Sequence, residues 1–461
     1  MQAYTRITDE IKNLLREALG PKAVFDGREK MEPFGRDGSD LFHFPELVVE
    51  ASSTAQVRKL MELASRYRFP VTPRGLGTGR AGGAVPILGG VVLSLAPMNR
   101  ILAIEPDNMT AEAQAGVLTL DLKEAVRARG LFYPPDPASL DTCSIGGNAA
   151  TNAGGPACLK YGTTRDYILD MEVVLPSGAA IRTGVKTRKG VVGYDLTRLL
   201  VGSEGTLGII TKATLKLIAH PVSLMTLVAF YRDLTTAMTS IQKVLMAGHV
   251  PCAMEFMDER CLRLVGDLLP LEGVGPAGVL LLIEVDGDPE IIAREIEAIG
   301  MICLQGGASE VLMAPDAVKR AKLWEVRRQV SVRIEENSPF VIREDIAVPL
   351  GRITDLCATL PEIERVWNLD IYAFGHAGDG NIHLLITAAD TSGRQRAGAA
   401  IGAILERVLG LGGTISGEHG IGALKKQFLP LELTAESIHL QRDLKNLFDP
   451  LMILNPGKLF P

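Results

Sequence analysis

The apolar positions of the chain alternate between helical and strand spacing, with a change of regime near its middle. Ile7, Ile11, Leu14, Leu15 and Leu19 recur at helical intervals behind Thr8, a good capping residue, and Gly20-Pro21 stops the run. After a polar, irregular stretch over 26–44, residues 47–49 read as a strand. Residues 54–68 predict an amphipathic helix with Val57, Leu60, Met61 and Ala64 on one face. Short strands are expected at 91–95, 101–104 and 111–115, then a helix capped by Thr119 and running to Gly130. Strands recur at 171–175, 180–183 and 208–217, and glycine-rich loops fill 75–90 and 146–162. Beyond His220-Pro221 the pattern becomes strand 225–231, helix 233–247, strands 252–257 and 279–285, helix 289–299 and a strand within 301–311. That order, βαββαβ, is the ferredoxin-like arrangement and predicts a separate domain. A long helix at 315–336, a strand at 341–348 and a helix after Gly351 follow. A glycine-rich loop then leads into a strand at 381–386, and helices are expected at 392–410 and 434–448.

Composition narrows the class without naming a function. The 461 residues carry 48 Lys+Arg against 54 Asp+Glu, a formal charge of −6, with no basic stripe to attract nucleic acid. No apolar run approaches the roughly 18 residues of a membrane span, and the opening residues lack an apolar signal core. The six cysteines (143, 158, 252, 261, 303 and 357) are far apart with no CxxC, which suits a reducing cytoplasm and no iron–sulfur cluster. Glycine is abundant, at 48 residues, and clustered, so the clusters are where chemistry is sought.

Pro73 to Gly83 reads PRGLGTGRAGG, in which Gly77, Gly79 and Gly82 satisfy GxGxxG. The segment that follows does not start a helix, so a Rossmann reading fails, and no P-loop occurs anywhere. A glycine-dense turn still lets backbone N–H groups approach a diphosphate. The segments PPDPASLDTCSIGGNAATNAGGPACLKYG (134–162) and GSEGTLGIIT (202–211) expose further backbone donors able to wrap an extended polar ligand. GHAGDGNIH sets His376 and His383 seven positions apart, and its glycines exclude a helix. A loop over 375–380 running into a strand would let the two imidazoles converge. SGEHGIG (416–422) adds Glu418 and His419, so that one neighbour could serve a metal and the other a substrate. Two His and one carboxylate form a sensible divalent-metal set with open positions, and Asp379 is a competing ligand. Arg327, Arg328 and Arg343 could bind a carboxylate bidentately.

Taken together and in order, DPASxxxCSIGGN, KYG, GSEGTLGIIT, GHAGDGNIH, SGEHGIG and NPGK resemble the flavin-dependent oxidoreductases of the vanillyl-alcohol-oxidase / p-cresol-methylhydroxylase superfamily. The match covers nearly the whole chain, and the nearest branch holds D-lactate dehydrogenase and the flavin subunit of glycolate oxidase. The resemblance implies an α+β protein. An FAD-binding domain of two α/β subdomains would span 1–220, a ferredoxin-like substrate cap 221–415, and a C-terminal helical return 416–461. It implies non-covalent FAD cradled by Arg74, Gly75, Leu76, Gly77, Thr78 and Gly79, since no His stands in that loop. Pro137, Ala138, Ser139, Cys143, Ser144, Gly146, Gly147, Asn148, Asn152, Gly154, Gly155, Tyr161 and Gly162 would line the flavin. Glu204, Gly205, Gly208, Ile209 and Ile210 would meet the adenosine side or ribityl chain, and Asn455 would close the site. His376, His383 and Glu418 match metal ligands (Zn, Mn, Fe or Co), His419 the catalytic base, and Arg327 and Arg343 the substrate-carboxylate positions. Arg343 stands where a relative has Lys and Ser331 where it has Thr; Leu385 replaces a polar residue of the hydroxyglutarate enzymes and speaks against a second substrate carboxylate.

The expected reaction is oxidation of a small D-2-hydroxy acid, with proton removal by His419 and hydride transfer to flavin N5. Without cluster ligands of its own, the chain is expected to pass electrons to a partner: an iron–sulfur subunit, an electron-transferring flavoprotein or a quinone-linked complex. A peripheral membrane location through that partner and a homodimer are both compatible with the sequence. The alternatives are a D-2-hydroxyglutarate dehydrogenase, a metal-independent alcohol oxidase of the superfamily, and a non-catalytic electron-transfer subunit.

Overall fold

The computed structural model describes residues 4–269 and 278–461. The chain divides into two compact units: Met1–Gly154, Gly162–His220 and Glu418–Pro461 form the first, Gly155–Tyr161 and Pro221–Gly417 the second. The short piece Gly155–Tyr161 thus leaves the first unit and returns to it.

Among the described residues the first unit holds two main sheets and a two-stranded ladder of Leu131–Phe132 with Ile218–Ala219. In one, Leu47–Glu50, Val91–Ser94 and Val71–Arg74 run parallel, and Val24–Phe25 adds an antiparallel edge. The strand runs are almost continuously apolar because both faces are covered. The helix Asp9–Leu19, capped by the Thr8 side chain, and the helix Thr54–Tyr67 contribute to one core against this sheet. Val57, Leu60 and Met61 are fully buried there, each contributing about 1.5–3 kcal/mol. The other sheet is antiparallel, in the order Ile101–Glu105, Thr110–Gln114, Ile209–Lys216, Ile168–Val174, Ala180–Gly184.

The C-terminal tail closes this unit. Val71 N–H donates to Ile453 O at 2.8 Å and Asn455 N–H to Val71 O at 2.7 Å, so the tail adds a parallel bridge beside Val71–Arg74. A buried ammonium fastens it: Lys445 Nζ donates to Asp449 Oδ2 at 2.5 Å, Thr206 O at 2.7 Å and Leu454 O at 2.8 Å. Lys445 lies at the end of the helix Ala435–Phe448, which Thr434 caps.

The second unit is one seven-stranded antiparallel sheet. Its order is Glu310–Met313, Ser223–Tyr231, Val279–Gly287, Ala253–Met257, Asp370–His376, Asn381–Thr387, Ile342–Ala347. Numbered by chain order, the first four strands stand 4-1-3-2, the ferredoxin-like arrangement, and three more extend its edge. The helices Leu234–Met246 and Pro289–Gln305 are the two crossovers.

Three local readings change. The helix over 289–299 continues to Gln305, because Ile299, Gly300 and Cys303 keep the buried face at helical spacing, and the strand is confined to Glu310–Met313. Thr119 lies inside its helix rather than capping it; its hydroxyl accepts from Asn148 Nδ2 at 2.7 Å. The segment before His383 is a hairpin, since Asp370–His376 is a strand in its own right. Its glycines serve a tight turn, and Gly375, with φ +155°, stands within the strand. No helix among the described residues is long and apolar enough to cross a membrane.

Candidate active site

In the first unit, a cleft of about 450 Å³ is floored by glycine backbone, within the roughly 300–1,000 Å³ usual for ligand and cofactor sites. It is lined by Arg74 through Gly79, by Pro137, Ala138 and Ser139, and by Ser144, Gly146, Gly147 and Asn148. Gly154, Glu204, Gly205, Gly208, Ile209 and Ile210 complete it, and Glu418 and His419 line it as well. Ser144 caps the helix Ile145–Thr151, accepting from Gly147 N–H at 3.2 Å. A Cβ on Gly75 would come within 2.5 Å of that Ser144 hydroxyl, so only glycine lets the loop after Val71–Arg74 lie against this turn. A long cleft whose walls are mostly bare backbone suits an extended diphosphate-bearing cofactor.

Six of the residues assigned to FAD by resemblance are not among those lining this cleft. Cys143 is buried, its Sγ 3.2 Å from the Thr119 hydroxyl. Asn152, at φ +52°, accepts from Arg165 N–H at 2.9 Å and from the Thr163 hydroxyl at 3.0 Å. Gly162 sits against the Asp166 carboxylate at φ +81°. Asn455 Nδ2 donates to Glu204 O at 2.8 Å and Gly83 O at 3.1 Å, bracing the cleft wall from behind. Gly155 and Tyr161 belong to the second unit. There the Tyr161 hydroxyl donates to Asp286 Oδ2 at 2.6 Å, beside Lys160 Nζ on Asp286 Oδ1 at 2.5 Å. Asp286 is 5 % exposed, and a hydrogen bond to a buried charge is worth about 1.5–3 kcal/mol. Tyr161→Phe is therefore expected to lower stability by about that amount in urea unfolding while FAD content per chain stays unchanged. A fall in FAD affinity with unchanged stability would place Tyr161 on the flavin instead.

The second unit gathers charged groups on one face of its sheet. His376 pairs with Asn381 and Phe374 with His383 across the hairpin, so the period-two alternation turns Phe374, His376, His383 and Leu385 to the same side. Asp345 stands opposite His383, Arg343 opposite Leu385, and Glu255 opposite His376. The two imidazoles meet with Nε2 atoms 3.4 Å apart. Their other nitrogens face carboxylates: His376 Nδ1 contacts Glu255 Oε1, and His383 Nδ1 lies 3.5 Å from Asp345 Oδ1. Carboxylates behind both rings fix their orientation, and the Nε2 atoms face one another, the donor pattern of a carboxylate–histidine–metal arrangement. The donor set fits a divalent ion.

Glu255 also holds Arg327, whose Nε and Nη2 donate to Oε2 at 2.9 and 2.8 Å, and Arg327 lies over the Phe374 ring at 4.5 Å from its centroid. Burial alone would raise the Glu255 pKa, but the charges of His376 and Arg327 outweigh it and hold the group at about 2. Arg343 Nη2 contacts Glu335 Oε1 at 2.5 Å, while its buried Nε has no acceptor among the described residues. Arg328 faces outward and pairs with Glu325 at 2.8 Å. Asp379 lies in the hairpin turn, where Oδ1 accepts from Asn381 N–H at 3.2 Å. Glu255 and Asp345 were missed from the sequence. For Glu255 the available signal was a lone carboxylate inside the apolar strand AMEFM; Asp345 stands beside Glu344 in IREDIA and carried no comparable signal.

Residues 220–459 match the family described as FAD linked oxidases, C-terminal domain, and residues 45–184 match the FAD binding domain family. The glycolate oxidase subunit GlcD of Bacillus subtilis (strain 168) is 40% identical over 98% of this chain and 97% of its own. The D-lactate dehydrogenase of Anaerostipes hadrus is 36% identical over 99% of this chain and 98% of its own. Among solved structures, p-cresol methylhydroxylase with substrate bound superposes with a TM-score of 0.82 at 16% identity, covering 98% of this chain and 96% of that one, a likeness of fold.

Proposed function

Because the chain belongs to the FAD-linked oxidases and oxidises a 2-hydroxy acid with FAD, we propose that its substrate is a small D-2-hydroxy acid of the size of lactate or glycolate, converted to the 2-oxo acid. The observation that carries this reading is the pair of Nε2 atoms 3.4 Å apart, each ring backed by a carboxylate. FAD, when bound, would supply the two-electron acceptor, and His376 and His383 would hold a divalent cation as Lewis acid, with Glu418 as the third ligand the resemblance implies.

Each protein group then has a task. Arg343, with a buried Nε to offer, and Arg327, oriented by Glu255, hold the substrate carboxylate. Leu385 stands opposite Arg343, is 3 % exposed and belongs to an apolar cluster with Val326 and Phe374. A second carboxylate would meet hydrocarbon there, which favours a monocarboxylate. His419, on the wall of the FAD cleft, takes the hydroxyl proton. The six cysteines are dispersed along the chain and none is in a disulfide, and we assign onward electron transfer to a partner such as an iron–sulfur subunit or an electron-transferring flavoprotein.

The test is anaerobic bleaching of the yellow flavin by D- and L-lactate, glycolate and D-2-hydroxyglutarate, with and without EDTA pretreatment. Rapid bleaching by D-lactate or glycolate, abolished by EDTA, is the expected result. Bleaching indifferent to EDTA would remove the cation, and no bleaching by any of the four would remove the substrate class.

A further inference from the structure

The loop that carries Glu418 and His419 has little regular structure of its own; at its C-terminal side Leu459 N–H donates to Gly422 O at 2.9 Å and Ala423 N–H to Ala81 O at 2.8 Å. Two of its successive amides end on one side chain. Ile421 N–H donates to Glu204 Oε1 and Gly422 N–H to Glu204 Oε2, both at 2.8 Å. One carboxylate therefore grips two successive amides of the loop, a charge-assisted bidentate contact. The match is close enough that Gly420, at φ +79°, would place a Cβ 2.8 Å from Glu204 Oε1.

The backbone of Glu204 points the same way. Its φ is +51°, followed by Gly205 at +67°. A non-glycine residue in the left-handed region persists where the surroundings require its side chain. Here glycine or asparagine would occupy the turn more readily, and neither could reach both amides. The backbone of Glu204 is itself anchored: Asn455 Nδ2 donates to its carbonyl oxygen at 2.8 Å, and Lys458 Nζ donates to Val85 O at 2.6 Å and Asn455 Oδ1 at 3.4 Å. Burial raises the Glu204 pKa above the usual carboxylate value, and the two amides and the charge of Lys458 moderate the rise.

We propose that Glu204 is a positioning residue for the reaction: by clamping Ile421 and Gly422 it sets where Glu418 and His419 stand on the wall of the cleft. The proposal rests on the role given above to His419. It also gives the NPGK tail a task, since Asn455 and Lys458 brace the clamp.

The experiment compares wild type, Glu204→Gln and Gly420→Ala as FAD-loaded full-length chains. Gln keeps the shape but turns an N–H₂ group toward one amide. The added methyl of Gly420→Ala pushes on the same contact from the loop side. In both, hydrogen exchange at Ile421 and Gly422 should quicken while FAD per chain stays at the wild-type level. In stopped-flow reduction by the hydroxy acid, the limiting rate should fall about 10–100-fold, the loss expected of a reacting group displaced by about 1 Å. The half-saturating substrate concentration should move far less. Unchanged exchange in both variants would overturn the clamp, and quickened exchange with an undiminished limiting rate would overturn its positioning role. If no 2-hydroxy acid reduces wild type, the proposed function fails, and exchange at the two amides alone then decides whether the clamp exists.

Discussion

A His419→Asn protein is expected to bind FAD normally and to be reduced by its hydroxy acid about 10²–10⁴ times more slowly than wild type. Asn can still donate and accept hydrogen bonds at the cleft wall, but it cannot take up a proton near neutral pH. The substitution leaves the loop's anchorage intact, because that anchorage runs through the backbone amides of Ile421 and Gly422 to Glu204. The loss corresponds to about 3–5 kcal/mol of transition-state stabilisation at 1.36 kcal/mol per tenfold. Anaerobic single-turnover reduction reads it directly, with the flavin spectrum confirming cofactor content. Reduction at the wild-type rate would strip His419 of the role of base.

Glu255→Gln should be the more disruptive change to the second unit. The substitution preserves shape but removes the anion that Arg327 and His376 share. Arg327 is 9 % exposed and keeps its guanidinium among Phe374 and the apolar cluster around it. Removing one partner of a buried ion pair costs about 3–5 kcal/mol, because the other charge stays buried without compensation. His376 also loses the group that fixes its ring. Loss of such an outer partner weakens metal binding about 10–100-fold. Two measurements therefore move together: the urea midpoint falls, and the metal dissociation constant rises. A variant as stable as wild type with undiminished metal affinity would show that Glu255 orients neither group.

The contrast between Glu255 and His376 shows what the sequence could disclose. His376 and His383 sit in a glycine-rich motif, where unusual residues at close spacing draw attention. Glu255 is 121 positions from His376 and becomes its neighbour only through antiparallel pairing of Ala253–Met257 with Asp370–His376. Spacing within one segment says nothing about such pairings. The strand Asp370–His376 was hidden for a related reason: glycines that serve a hairpin turn read as a loop, and the aromatic alternation before them was overlooked. By contrast, elements with strong periodicity and a capping residue, such as Asp9–Leu19 and Ala435–Phe448, were legible to within a residue or two. The βαββαβ order was legible because each crossover helix carries its own apolar stripe. The glycine-walled cleft was foreshadowed by composition. Which individual residues face it was not, as Cys143 and Asn152 illustrate, since neighbours in a turn point in different directions.

The tail that closes the first unit has a consequence for biosynthesis. Val71 makes its bridge with Leu454, 383 residues later, and at about 5–20 residues per second that partner emerges roughly 20–80 s after Val71. The second unit lies almost entirely within the contiguous stretch Pro221–Gly417, so its sheet is fully synthesised first. Until residues 449–459 appear, Asn455 cannot brace Glu204 and Lys445 has no Asp449 to meet. On the nascent chain the cofactor cleft is a half-built wall. Closure of that wall is thereby deferred until residues 449–459 have been synthesised.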